Sequence, residues 1–171
     1  PGHNNRRTRH RYSEAMTATH KEELAVAALR NGTVIDHIPS AALFKAVHIL
    51  GIEHMDKSVT IGNNLHSGKL GSKGIIKVAD TEFDEATLNR IAIIAPTAVV
   101  NTIRDYEVAS KRSVSLPDEL VGIVRCANHK CISNHEPMQT RFSVTRSTDG
   151  DVVLRCHYCN HCVDGKDAPI L

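Results

Sequence analysis

Five cysteines, Cys126, Cys131, Cys156, Cys159 and Cys162, all fall after residue 125 of a 171-residue chain. Four of them give the pattern C-x4-C-x24-C-x2-C. Thiolates are soft ligands, and two pairs on separate tight turns bring four sulfurs to one tetrahedral ion, as in a structural four-cysteine zinc ribbon. Clustering of this kind in a cytosolic chain favours metal over disulfides. Five sulfurs compete for four places. Cys159 and Cys162 are also separated by two residues, and a knuckle built from them would strand Cys156. The run "DVVLR" reads as a strand that delivers Cys156 and Cys159 directly, which favours that pair and leaves Cys162 as a spare thiol or an alternative ligand. His129, His135, His157 and His161 are further candidates, expected to stand in solvent or behind the thiolates. A closed set of four thiolates has no open position for water, so its metal folds a domain and does not run hydrolysis.

A second set of polar residues lies in the first part of the chain. Asp36 and His37 end one β-branched run, Lys73 and Lys77 flank another, and Asn101, Tyr106 and Lys111 follow along a third. A carboxylate suits ribose hydroxyls and ammonium groups suit phosphates. No glycine-rich loop opens a helix, which excludes a P-loop or a Rossmann fingerprint. No serine or cysteine nucleophile stands in an activating context, and no helix carries paired carboxylates. Asp36 and His37, adjacent on a strand, are expected to point to opposite faces and to form no dyad.

The elements that must carry these groups follow from periodicity and punctuation. "THKEELAVAALR" (19–30) is a lead-in before the Asn31-Gly32 turn signal. "TVIDHI" (33–38) is a strand ended by Pro39, with Ser40 placed to cap the helix "AALFKAVHILG" (41–51). "KSVTIGNNL" (57–65) is a strand, "HSGKLGSKG" (66–74) a hairpin loop and "IIKVAD" (75–80) the next strand. "DEATLNRIAIIA" (84–95) is a helix with acids at its N-terminal end, and "AVVNTIRDYEVASK" (98–111) reads as one long final strand. The order β-α-β-β-α-β predicts an α+β, ferredoxin-like domain with two helices on one face of an antiparallel sheet. The other face is left for a second subunit or a ligand. After the connector "SVSLPDEL" (113–120) come two short β-rich runs, "RFSVTR" and "VVLRC", and no long helix. A segment this small needs a staple beyond apolar burial. The expected division is a leader over 1–18, a first domain over 19–114 and a β-rich four-cysteine domain over 115–171.

Charge narrows the partners. The net charge is +2, yet segment 1–15 holds Arg6, Arg7, Arg9 and Arg11 against Glu14, leaving about −1 for the rest. The segment reads as a disordered leader or an expression remnant ahead of Met16. The alternative is a nucleic-acid-binding zinc ribbon using those arginines with Lys130, Arg141, Arg146 and Arg155, recognisable by salt-dependent binding that disappears without residues 1–15. A stand-alone enzyme would need a catalytic group that the sequence does not offer. No apolar run approaches the ~20 residues of a membrane span, and no secretory signal is present, so a cytoplasmic chain is expected.

Taken together, "RNGTVIDHIP", "VTIGNNLHSGKLGSKGIIKV", "IAPTAVVNTIRDYEV" and the closing cysteine pairs resemble the regulatory chain of aspartate carbamoyltransferase, over about residues 20 to 165. The resemblance implies a non-catalytic allosteric subunit of pyrimidine biosynthesis. Its first domain would bind CTP as inhibitor and ATP as activator, with UTP acting alongside CTP. Its zinc domain would dock on the catalytic chain, within a hetero-dodecamer containing homodimers of regulatory chains, and no nucleic-acid or membrane partner is implied. By position, the resemblance assigns Asp36 and Lys77 to the ribose, and Lys111 and His37 to the triphosphate. Leu29 and Tyr106 fall beside the base, and Val26, Ala28, Val34, Asn101, Ile103 and Val108 shape the pocket. Cys126, Cys131, Cys156 and Cys159 match the structural zinc ligands, which decides the register against Cys162. Glu23 stands where some members carry lysine, the loop between the cysteine pairs is one residue longer than in the best-known member, and the basic leader has no counterpart.

Overall fold

The computed structural model describes residues 28–171. The leader, Glu23 and Val26 lie outside the described residues.

The first domain is built on strand β1 (Gly32–Pro39), whose β-branched run favours an extended chain. Pro39 ends it, and a single 3-10 turn, Ser40–Ala42, leads into helix α1 (Leu43–Ile49). Ser40 does not cap that helix, because its hydroxyl bonds Ser72 Oγ at 3.1 Å. Strands β2 (Val59–Ser67) and β3 (Gly71–Ala79) form a hairpin. The loop expected over 66–74 is only three residues long, since both strands extend into it. Helix α2 (Glu85–Ile94) starts where the Asp84 carboxylate accepts the Thr87 N–H at 2.8 Å, which lowers the pKa of that carboxyl.

The single strand expected over 98–111 is two. β4 (Val99–Arg104) and β5 (Glu107–Ser113) are joined by Asp105 and Tyr106, both at positive φ (48° and 69°), as a two-residue hairpin turn with the favoured twist requires. The sheet order is β2-β3-β1-β4-β5, antiparallel at every pairing. This is the expected βαββαβ arrangement with one strand added.

Register separates the two faces. Ile35 pairs with both Ile76 and Val100, and Thr33 with Val78; these residues are buried with Leu43, Ala46, Leu88 and Ile91 from the helices. At roughly 1.5–3 kcal/mol for each fully buried large side chain, this cluster is the domain's main stabiliser. The alternate residues point to the face opposite α1 and α2.

The second domain is a four-stranded antiparallel sheet, β6-β7-β8-β9, with β6 at Glu119–Val121, β7 at Arg141–Arg146, β8 at Val152–Cys156 and β9 at Cys162–Asp164. The sequence marked only the two central strands. Phe142, Leu120, Val124 and Leu154 fill its small core beside Cys126, Cys131 and Cys156.

Candidate nucleotide face and metal centre

On the open face of the first sheet, Lys77 pairs with Val34, Val34 with Asn101, and Asn101 with Lys111. Four strands thus present one transverse row. Gly32 pairs with Ile103, and Ile103 with Val108, at the neighbouring end of the same face. The hairpin turn is drawn to the start of β1: the Tyr106 N–H donates to Arg30 O at 2.9 Å and the Asp105 N–H to Asn31 Oδ1 at 3.0 Å. Tyr106, exposed, therefore stands next to the stretch carrying Ala28 and Leu29. Val26 is not described. From Gly32 to Asp36 the face runs about 13 Å, at about 3.3 Å per residue.

Asp36 and His37 depart from the alternation expected of them. β1 carries an extra residue between Ile35 and Ile38, and His37 sits at φ 58°. The bulge cancels one step of the pleat. His37 Nδ1 consequently lies 3.4 Å from Asp36 Oδ2, a close approach without hydrogen-bond geometry that leaves Nδ1 buried and without a hydrogen-bond partner among the described residues. The His37 N–H donates to Asp36 Oδ1 at 2.6 Å. Thr97 Oγ1 donates to His37 O at 2.9 Å and holds the bulge from behind.

Asp36 also forms an ion pair with Lys73, whose Nζ lies 2.9 Å from Oδ1 and 3.0 Å from Oδ2. The resemblance did not assign Lys73 to the site. Its spacing carried the signal, since Lys73, Ile75 and Lys77 alternate onto one face of β3. Burial lowers the Lys77 pKa, opposed by the nearby Asp36 charge. The face thus holds ammonium groups close to one carboxylate, with β-branched side chains beneath.

In the second domain, the ligand atoms of Cys126, Cys131, Cys156 and Cys159 all lie within 4.8 Å of one another. Cys126 and Cys159 sulfurs are 3.6 Å apart, and those of Cys131 and Cys156 3.7 Å. A tetrahedron with Zn–S of ~2.3 Å has edges of about 3.8 Å, whereas a disulfide needs ~2.05 Å. The four residues fit a zinc ion and not two disulfides. Asn134 braces the first turn, its Nδ2 donating to Cys126 O and Asn128 O at 2.9 Å each. Asn160, at φ 57°, closes the second through its N–H to Cys156 O at 2.9 Å. Burial raises the Cys126 and Cys156 thiols. For Cys159 burial acts upward too, but hydrogen bonds from the His161 backbone and neighbouring side chains outweigh it and bring the thiol down to about 7.

Cys162 is exposed on β9, paired across the ladder with Arg155, outside the group of four. His129, His135, His157 and His161 are exposed and equally outside it. No helix among the described residues is long and apolar enough to cross a membrane.

Fold and side-chain placement define a two-domain protein with a polar sheet face in the first domain and a four-cysteine metal-binding group in the second. The family models for the "Aspartate carbamoyltransferase regulatory chain, allosteric domain" and the corresponding "metal binding domain" match residues 24–115 and 118–168. The Parabacteroides distasonis aspartate carbamoyltransferase regulatory chain is 54% identical over 152 residues, covering 89% of this chain and 97% of the relative. That of Porphyromonas gingivalis is 54% identical over 151 residues (88% and 99%), and that of Thermococcus onnurineus 45% over 146 residues (85% and 95%). The chain belongs to the aspartate carbamoyltransferase regulatory chain family: it is a regulatory, non-catalytic chain with an allosteric domain and a metal-binding domain.

Proposed function

We propose that this chain senses nucleotides for aspartate carbamoyltransferase, taking CTP as inhibitor and ATP as activator, with UTP acting alongside CTP, on the open face of the first sheet. The observation that carries the reading is the transverse row Lys77–Val34–Asn101–Lys111 with Asp36 and His37 at its flank. Asp36 and Lys77 take the ribose, and Lys111 and His37 the triphosphate. Leu29, Tyr106 and Ala28 meet the base, while Val34, Asn101, Ile103 and Val108 shape the floor. Lys73 adds a further ammonium group on the phosphate-facing side of Asp36.

CTP and ATP share ribose and triphosphate, so Asp36, His37, Lys77 and Lys111 cannot distinguish them. Opposite effects must arise at the base end, where the turn Asp105–Tyr106 is tied to Arg30 and Asn31. A larger purine displaces that turn further than a pyrimidine. Allostery needs only that each ligand favour a different state of the domain.

The nucleotide domain spans 19–114, preceded by a leader over 1–18, and the zinc domain spans 115–171. Zinc on Cys126, Cys131, Cys156 and Cys159 supplies the folding energy of a domain with little core, and its filled coordination leaves no catalytic position. Exposed Ile132, Met138 and Tyr158 suit a surface that docks on the catalytic chain. Among the described residues β2 is an edge strand of the sheet, and exposed Ile61 on it and Phe44 on α1 suit pairing of two regulatory chains within a hetero-dodecamer. The chain works in the cytoplasm, a reducing compartment that keeps the thiols available to metal. No nucleic acid or membrane enters this reading.

Reconstitution tests it. Zinc-loaded chain mixed with catalytic trimers should co-migrate with them and make carbamoyl-aspartate formation respond to CTP and ATP. Absence of co-migration, or turnover unaffected by either nucleotide in the assembled complex, overturns the proposal.

A further inference from the structure

The two domains meet along one seam between the helices of the first and the C-terminal strap of the second. Lys45 Nζ on α1 donates to Lys166 O and Ala168 O, each at 2.9 Å. The Gly165 backbone lies so close to α2 that a Cβ there would come within 2.4 Å of Ile93 O. Beside these contacts the seam does not close. A cavity of about 530 Å³ remains, bounded by both domains. That volume falls in the range of small-molecule sites, roughly 300–1,000 Å³.

Its chemistry is asymmetric. Ile93, Ile94 and Val152, each at most 4% exposed, form an apolar floor, and Ala42 and Pro96 stand at its sides. The exposed rim carries Asp149, Asp151, Asp164 and Asp167, none of which has an ion pair among the described residues. Against these four carboxylates the lining offers two ammonium groups, Lys45 and Lys166, and that of Lys45 is engaged by the strap carbonyls. A triphosphate would be repelled here, so this is not an extension of the nucleotide face.

We propose that the interdomain cavity is a second ligand site, taking a compact organic ammonium ion whose apolar body rests on Ile93, Ile94 and Val152 and whose charge meets the aspartate rim. Such a ligand touches both domains at once and so fixes their relative placement. Thr97 lines the cavity and bonds His37 O at 2.9 Å, which connects an occupant to the nucleotide face. That connection rests on the proposed nucleotide reading; the binding itself does not.

The test is an NMR-followed titration of the zinc-loaded full chain with cyclohexylammonium, with cyclohexanol and cyclohexanecarboxylate as matched neutral and anionic probes. The ammonium probe should bind at least tenfold more tightly than the alcohol, shift the Ala42, Ile93 and Val152 methyl signals, and outbind the carboxylate by more. Asp151→Asn with Asp164→Asn should remove the preference for the cation, and Ala42→Leu should fill the space and block all three probes, with CTP binding unaltered. Equal affinity for ammonium and alcohol, no binding, binding unchanged by Ala42→Leu, or loss of binding once catalytic chains are attached would each overturn the proposal. Cation binding that survives while CTP binds nowhere would retain the cavity and remove the nucleotide face.

Discussion

Replacing Asp36 by asparagine separates the two ends of the proposed nucleotide site. The substitution keeps the shape and removes one charge. In the folded chain that charge holds Lys73 at 2.9 and 3.0 Å, with both side chains 20% exposed, and opposes the burial that lowers Lys77. Two effects of opposite sign follow. Ribose hydroxyls lose a charged acceptor, worth about 1.5–3 kcal/mol for a hydrogen bond to an ionised group. Lys73 and Lys77, no longer neutralised, become better partners for a polyphosphate. Calorimetric titration with CTP and with inorganic tripolyphosphate, in the same buffer, reads both. The affinity for CTP relative to tripolyphosphate should fall by about tenfold to about 150-fold, at about 1.4 kcal/mol per tenfold, while tripolyphosphate binds no more weakly than to the unaltered chain. Raising the salt should weaken both ligands through screening and leave the ratio low. A parallel loss of both affinities would refute the reasoning, because Asp36 would then act only by holding the bulge of β1.

The metal centre gives three further expectations. Chelation followed by thiol blocking should unfold the second domain and release the chain from catalytic trimers, since structural zinc contributes roughly 10–16 kcal/mol to such domains; a complex that survives gel filtration after this treatment contradicts it. Zinc affinity, measured by competition with a chromophoric chelator, should fall by more than tenfold per pH unit as pH drops through neutrality. Burial keeps Cys126 and Cys156 protonated there, so more than one proton must leave when metal binds; a slope of one or less would oppose a four-thiolate site. Cys162→Ser should leave zinc stoichiometry and affinity unchanged, and a loss of bound zinc by that variant would put Cys162 in the coordination sphere.

What the sequence disclosed depended on how local the cause was. The strand at Gly32–Pro39 and the helix at Glu85–Ile94 follow from β-branched residues, a capping carboxylate and helical spacing, all within a few positions. The cysteine pairs were legible for the same reason, whereas the choice between Cys156 and Cys162 was not a matter of spacing. It is decided by β9, whose ladder takes Cys162 opposite Arg155. Asp105–Tyr106 hid a turn because neither residue is a glycine or asparagine; hydrogen bonds that its N–H groups donate to Arg30 O and Asn31 Oδ1, more than seventy positions away, hold it. The bulge at His37 was equally hidden. It arises from how β1 must pair simultaneously with β3 and β4, and from Thr97 behind it. The interdomain cavity depends on the packing of Gly165 and Lys45 against segments distant in the chain.

The most direct measurement is competition between CTP and ATP for the zinc-loaded chain, performed beside Lys111→Ala. Lys111 sits at the end of the row shared by both proposed ligands and makes no proposed contact with the base. Mutual displacement at one site, with both affinities reduced about tenfold or more in the variant as expected for a lost charged contact, is the predicted result. Independent binding of the two nucleotides, or a Lys111→Ala chain that binds both undiminished, would contradict the account.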